Sequence, residues 1–454
     1  MATKNFSNLP LAPSMIQNLD TIGYTQMTPI QAEALPLILE GKDLLAQAKT
    51  GSGKTAAFGI GLLHKLNVKK FRVQSLILCP TRELADQVAK ELRLLAKFQH
   101  NIKVLTLCGG TAFGPQYGSL RHGAHIVVGT PGRVLKHLKK ESLSLDDLET
   151  LVFDEADRML DMGFIEEIDE VLEFVPKQRQ TLLFSATYTD EVTEISQRVQ
   201  NDPVFVKTIT QEAANKIEES FYLCEHKLPT LLNLFAKYKP ENVILFTNTK
   251  SEADIVAEEL RRCEVDALAL HGDLEQYERD DVLVQFINKS CRVLVATDVA
   301  ARGLDIDDLS MVVNYDLPHT LETYTHRIGR TGRAGKEGLA VTLYTDNEEE
   351  KLQEYKKRGR GFYDASKLDE VDEFTMHATH ATLVIEGGKK QKLRAGDILG
   401  ALARDVGIDA DAIGKIAIYD RQSYVAIKQD QLQKAYNGLK NTKVKAKRFS
   451  VWVL

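Results

Sequence analysis

The feature that most limits what this chain can fold into is a recurrence of short apolar, β-branched runs, each closed by a small polar cluster and separated by helical-looking stretches. Leu76 to Leu78 ends in CPTRE, Ile126 to Val128 in GTPGR, Leu151 to Phe153 in DEAD and Leu182 to Phe184 in SAT, with Val104 to Leu107 of the same kind between the first two. Runs this short and this continuously apolar read as strands buried on both faces of a parallel α/β sheet. A second set follows the polar stretch Thr208 to Ser220: Val243 to Phe246, Ala267 to Leu270, Val293 to Ala296, Met311 to Val313 and Ala340 to Leu343. In open α/β sheets ligands bind outside the carboxyl ends of the strands, so the polar clusters of each set should converge on one surface.

The pattern changes towards the end. Charge runs fill Lys351 to Glu373, a final helix and connector, and beyond them strands are expected at 382–386, 413–419, 423–428 and 448–453, with helices at 395–405 and 430–439. The order β-α-β-β-α-β is that of a ferredoxin-like or RNA-recognition-like α+β unit. The expected division is a first α/β domain over 1–207, a linker over 208–220, a second α/β domain over 221–365, a connector over 366–374 and a C-terminal domain over 375–454.

Charge separates these parts. The formal net charge of −6 hides an asymmetry: residues 375–454 carry 14 Lys and Arg against 7 Asp and Glu, whereas the preceding residues carry 44 against 57, a net of −13. The densest basic runs are GGKKQKLR at 387–394, with Lys389, Lys390, Lys392 and Arg394, and KVKAKR at 443–448. Such runs suit phosphate contacts, although a lysine-rich solvated surface has the same composition. Base stacking on the sheet face is doubtful, because the strand SYVAIK offers only Tyr424 and TLVIE offers no aromatic. The five cysteines contain no C-x-x-C pair, which argues against a zinc site and a disulfide framework. The first residues lack a leader pattern, and no run reaches the roughly 18 apolar residues of a membrane span, so a cytoplasmic, membrane-free protein is expected.

Two motifs carry chemistry on their own residues. In AKTGSGKT, from Ala48 through Lys49, Thr50, Gly51, Ser52, Gly53 and Lys54 to Thr55, the glycines let backbone approach phosphate oxygens, Lys54 faces the terminal phosphates and Thr55 can hold Mg²⁺. Ala48 stands where the general P-loop pattern has its first glycine. In DEAD at 154–157, Asp154 just past a strand is placed to anchor Mg²⁺, and Glu155 to activate the attacking water. HRIGRTGR at 326–333 offers three arginines, either a solvated or phosphate-binding face or, given a P-loop domain needing one, an arginine finger at Arg330 and Arg333.

With these motifs in order, residues 1 to 365 resemble the DEAD-box RNA helicases. The resemblance implies two tandem RecA-like domains, and ATP with Mg²⁺. Phe6 and GYTQMTPIQ at 23–31 look like the Q motif, with Gln31 implied to read the adenine edge and Tyr24 or Phe6 to pack near the base. PTREL, with Pro80, Thr81 and Arg82, the pair Gly109 and Gly110, and Thr130, Pro131, Gly132 and Arg133 match motifs that hold the RNA backbone. Ser185 and Thr187 match the motif implied to couple ATP state to unwinding through Asp157 and His326. In TDVAARGLD, Thr297, Asp298, Arg302 and Gly303 are implied to bear on RNA and Asp305 on the ATP ribose. Backbone-directed contacts carry no sequence information, so the core should be sequence-blind.

The tail, with GGKKQKLRAGDILGAL and IGKIAIYD, resembles the bacterial DbpA type within this family. That implies a hairpin of 23S rRNA as target and pre-50S particles as partner. The expected function is ATP-dependent local unwinding of short RNA duplexes during large-subunit assembly, by a monomer that does not act on DNA. An ATP-gated RNA clamp or RNA–protein remodeller with little unwinding uses the same motifs.

Overall fold

The computed structural model describes residues 5–48, 51–208, 217–301, 309–332, 338–356, 361–371 and 373–454. They form two compact units, one up to residue 208 and one from residue 217.

In the first unit seven strands form one sheet: β1 (Leu44–Gln47), β2 (Ser75–Leu78), β3 (Val104–Leu107), β4 (Ile126–Gly129), β5 (Thr150–Asp154), β6 (Gln180–Ser185) and β7 (Val204–Lys207). Their order is β3-β4-β2-β5-β6-β1-β7, and every neighbouring pair is parallel. Alternate side chains feed opposite cores: Leu44, Ile77, Val152 and Phe184 pack on one face, and Leu45, Leu76, Leu151 and Leu183 on the other. This order sets the site. β5, β6 and β1 are adjacent, with Asp154 in register with Phe184 and Gln47 with Ser185, so the segments after three strands meet at one edge.

The second unit repeats the scheme with β8 (Ile217–Leu223), β9 (Val243–Thr247), β10 (Ala267–Leu270), β11 (Val293–Thr297), β12 (Met311–Asn314), β13 (Gly338–Tyr344) and β14 (Gly361–Asp364), in the order β10-β11-β9-β12-β13-β8-β14, all parallel. One expectation needs correction here. The linker expected over 208–220 overlaps β8: from Ile217 the chain pairs with β13 and then β14. Its polar look comes from Glu218 and Glu219, and Glu219 accepts a hydrogen bond of 2.7 Å from Tyr324 Oη, a tertiary partner that local patterning does not show. Within the segment 366–374, Leu368 and Phe374 pack against the core of this second sheet.

The last four strands, β15 (His380–Ile385), β16 (Ile413–Ile418), β17 (Ser423–Lys428) and β18 (Val451–Val453), form an antiparallel sheet in the order β16-β17-β15-β18. This is the expected α+β arrangement, with the final strand shorter than 448–453. Leu383, Ile385, Val425 and Ile427 point to one face, covered by the helix Ala395–Gly400, the π-helical turn Ala401–Val406 that continues it, and the helix Leu432–Asn441.

Candidate active site and RNA-binding surfaces

The nucleotide site is built at the ends of β1, β5 and β6. After β1 the Ala48 amide donates to Ser185 O at 2.9 Å, tying the start of the P-loop to the SAT segment. Gly51 (φ 79°) and Gly53 (φ 91°) then turn the chain through left-handed backbone into the helix Lys54–Lys65. Its N-terminal N–H groups and dipole favour an anion. A methyl group at Gly53 would lie 2.5 Å from Gln31 Nε2 and would have to displace that amide, and the left-handed φ favours glycine there in any case.

Gln31 links the Q motif to this loop. It is buried at N3 of the helix Pro29–Leu39, where Oε1 accepts from Thr28 N (2.9 Å) in a capping box and Nε2 donates to Gly53 O (3.1 Å). One N–H and one lone pair of the amide remain for a base edge. Phe6 is buried in the first core, its ring edge-on to Tyr24, whose hydroxyl donates to Glu91 (2.7 Å).

Beside the P-loop, Lys54 Nζ and Asp154 Oδ1 face each other across 4.0 Å, both buried. These two atoms and Ser52 Oγ are buried and find no hydrogen-bond partner among the described residues. Burial raises the Asp154 carboxyl to about 6; Lys54 opposes this and Glu155 adds to it. Buried polar groups left unpaired are costly, and a bound polyanion with its cation would satisfy all three. The residues present therefore fit a nucleotide triphosphate with Mg²⁺.

Glu155 has a left-handed backbone (φ 58°) and accepts from Arg158 Nη1 at 2.6 Å in a buried ion pair. Arg158 is a participant that motif reading missed; its i, i+3 spacing from Glu155 on the helix Ala156–Asp161 was the available signal. Asp157 faces the other way. Its Oδ2 accepts from the amides of Ala186 and Thr187 (both 3.0 Å) and from Thr187 Oγ1 (2.9 Å), which joins DEAD to SAT. Burial pushes its carboxyl up, but Lys54 and the Thr187 donors outweigh burial and hold it below the ordinary value.

The RNA-motif residues of the first unit divide by use. Pro80 and Thr81 are buried, and Thr81 Oγ1 caps the helix Arg82–Leu95 by accepting from Leu84 N; Arg82 begins that helix and pairs with Asp86 at 3.8 Å. Gly110 is exposed at φ 70°, and Thr130 and Gly132 flank Pro131 at the start of the helix Pro131–Lys139. Arg133 spends both terminal nitrogens inside the protein, on Gln116 Oε1 (3.0 Å) and Thr111 O (2.9 Å).

In the second unit the arginine segment holds a surprise. Arg327, the member of HRIGRTGR not singled out by sequence, is its buried hub: it donates to both oxygens of Asp298 (2.7 Å each), to Asn248 Oδ1 and to Asp316 O, over the Phe246 ring. Asp298 is thus held by Arg327, next to the buried Thr297. Arg330 is buried beyond the helix Leu321–Ile328 that carries the half-buried His326. Lys49, Thr50, Arg302, Gly303, Asp305 and Arg333 lie outside the described residues.

In the C-terminal sheet the second face is not open. Val384, Tyr424 and Trp452 pack with Val284 of the helix Gln276–Ile287, Tyr424 Oη donates to Asp281 Oδ1 (2.8 Å), and Thr382 meets Asn288 Nδ2 (3.1 Å) and Ser290 Oγ (2.7 Å). The face on which recognition modules stack bases is here docked on the preceding domain. The two basic runs are instead brought together: Lys445 Nζ donates to Lys392 O at 2.5 Å. Lys389, Lys390, Lys392, Arg394, Lys443, Lys447 and Arg448 are all exposed around this contact. Tyr419, 43% exposed in the turn whose carbonyl accepts from Lys389 N, is an aromatic that sequence reading passed over.

Comparison with known proteins agrees with this geometry. Residues 28–195 match the DEAD/DEAH box helicase family, 226–335 the helicase conserved C-terminal domain and 382–453 the DbpA RNA binding domain. The chain is 50% identical over 449 residues to the ATP-dependent RNA helicase DbpA of Escherichia coli, covering 98% of both. The chain belongs to the DbpA-type DEAD-box RNA helicases. It is accordingly an ATP-binding, RNA-stimulated ATPase and RNA helicase whose C-terminal domain binds RNA. The ATP-dependent RNA helicase DbpA of Bacillus subtilis is 38% identical, again over 98% of both chains. Among solved structures, Saccharomyces cerevisiae Dbp5 bound to RNA and ADP BeF3 superposes with a TM-score of 0.71 at 32% identity, covering 80% of this chain and 96% of that one. Among the described residues no helix is long and apolar enough to cross a membrane.

Proposed function

We propose that this helicase separates short RNA duplexes locally and is directed by its basic C-terminal surface to a 23S rRNA hairpin in pre-50S particles. The observation that carries the reading is the division of labour in one chain: a nucleotide site where three buried polar atoms find no hydrogen-bond partner among the described residues, and a separate exposed surface where two basic runs meet. Thr55 and Asp154 would hold Mg²⁺, which when bound neutralises charge on the phosphates. Lys54 binds the terminal phosphates. Glu155 orients the attacking water and accepts its proton, which requires it to leave or share its bond to Arg158. Arg330 and Arg333 are assigned to the charge that develops on the transferred group, a role worth on the order of 10³–10⁵ in rate.

A Glu155→Gln variant tests the assignment. ATP and RNA binding should persist while ATP turnover is abolished; turnover at the wild-type rate would remove Glu155 from the chemistry. Strand displacement measured beside RNA release decides between unwinding and clamping or remodelling: release slowed by ATP without displacement would favour the clamp.

A further inference from the structure

Two of the segments that the sequence marks for RNA in the first unit, the loops after β3 and after β4, are joined by one side chain outside every motif. Gln116, on the helix Phe113–Arg121, donates from Nε2 to Cys108 O (3.0 Å) and to Thr111 Oγ1 (2.6 Å), the two ends of the Gly109–Gly110 loop after β3. Its Oε1 accepts from Arg133 Nη1 (3.0 Å) and from His137 Nε2 (3.1 Å), both on the helix that opens with Thr130 and Pro131 after β4. All four hydrogen-bonding positions of the amide are therefore filled.

The polarity of this junction is fixed. A guanidinium only donates, so the atom facing Arg133 must be the amide oxygen, and His137 must then carry its proton on Nε2. Ser142 Oγ lies 2.8 Å from the other ring nitrogen, and the ring stacks on Phe113 at 4.1 Å and 13°. His137 is fully buried, and burial with the nearby Arg133 and Lys136 keeps it neutral. Arg133 closes the circuit by donating to Thr111 O (2.9 Å). Gly109 and Gly132 are not demanded by packing, since a methyl group at either would meet nothing within 4 Å. Open positions of this kind leave room for the close approach of a ligand backbone.

We infer that Gln116 is a positioning residue for RNA: it sets the spacing of the Gly109–Gly110 and Thr130–Gly132 loops so that both can grip one sugar-phosphate backbone at once. The inference rests on the assignment of these loops to RNA under the proposed function. Arg133, through Gln116 and Thr111, acts as part of the same clamp.

The test uses the full-length chain, with ATPase activation titrated by a single-stranded poly(U) oligonucleotide at fixed salt, and ATP binding measured without RNA. Gln116→Ala should raise the half-activating RNA concentration about tenfold, the effect of losing hydrogen bonds that hold a binding loop, with ATP affinity unchanged. Gln116→Glu keeps the acceptor for Arg133 and His137 and loses both donations to the glycine loop, so it should weaken RNA activation too, and it carries the test if the alanine variant does not fold. Gly110→Ala strains the loop directly at φ 70°, and in combination with Gln116→Ala its effect should be less than additive. If Gly110→Ala weakens RNA activation while both Gln116 variants leave it unchanged, the positioning role is overturned. If Gly110→Ala and the Gln116 variants all leave it unchanged, the assignment of the loop to RNA fails, and the positioning role with it.

Discussion

At the scale of single residues, the nucleotide site combines buried polar atoms that lack hydrogen-bond partners among the described residues with a constrained glycine loop. At Gly53 the left-handed backbone would strain any side chain, and a notional methyl group 2.5 Å from Gln31 Nε2 would displace that amide from the loop. Gly53→Ala should therefore lower the stability of the chain by at least about 1 kcal/mol and weaken ATP binding, read by thermal unfolding and nucleotide titration. Wild-type values for both would contradict the described P-loop. His137 makes a prediction in pH. Burial first, then Arg133 and Lys136, lowers its imidazole to about 4. Above an unfolded value near 6.5 the ring is neutral in both states and the shift costs nothing. As pH falls from there towards 4, the unfolded chain takes up a proton that the folded chain refuses, so stability is lost across that window. A His137→Gln variant should lose less stability than wild type between those pH values, as followed by denaturant unfolding; equal losses would mean His137 does not titrate this way.

At the scale of elements, the junction between the C-terminal sheet and the helix Gln276–Ile287 decides what that sheet can do. Strand alternation puts Leu383 and Ile385 into the core of the domain and Val384 against Val284, so both faces of the sheet are used within the chain. Val284→Asp would bury a carboxylate beside Val384 and Tyr424, and undocking is the cheaper outcome. Hydrogen exchange should then rise along β15 and β17 on the exposed face, with ATP binding unaffected; unchanged exchange would contradict the docked arrangement. Sequence reading found the alternation of elements because buried parallel strands announce themselves as apolar runs. It missed β1, β7, β8 and β14: β1 is four residues long beside the P-loop, β8 carries Glu219, satisfied by a tertiary contact, and β7 and β14 are short edge strands.

At the scale of the whole molecule, the motifs were legible because each is a contiguous run at a strand end, where the chemistry and the fold coincide. The supports were not. Arg327 behind Asp298, Gln116 between two loops and Asp281 on Tyr424 act through contacts made only after folding, across as many as 143 residues of chain in the last case. The same limit applies to the basic surface, whose two runs are legible as charge but not as neighbours. Removing residues 375–454 would uncover Val284 and Asp281, so the targeting role is better tested in the intact chain. The most direct measurement is RNA-stimulated ATPase activity titrated with 23S rRNA fragments and with non-ribosomal RNA at one stated salt concentration, for wild type and for a variant with Lys389, Lys390, Lys392 and Arg394 replaced by alanine, since phosphate contacts make affinity fall steeply with salt. A 23S rRNA fragment should half-activate the wild type at a concentration at least about tenfold lower than other RNA, and the variant should lose this preference while keeping its maximal rate. Equal activation of the wild type by both RNAs, or a preference that survives in the variant, would rule out targeting by the basic surface.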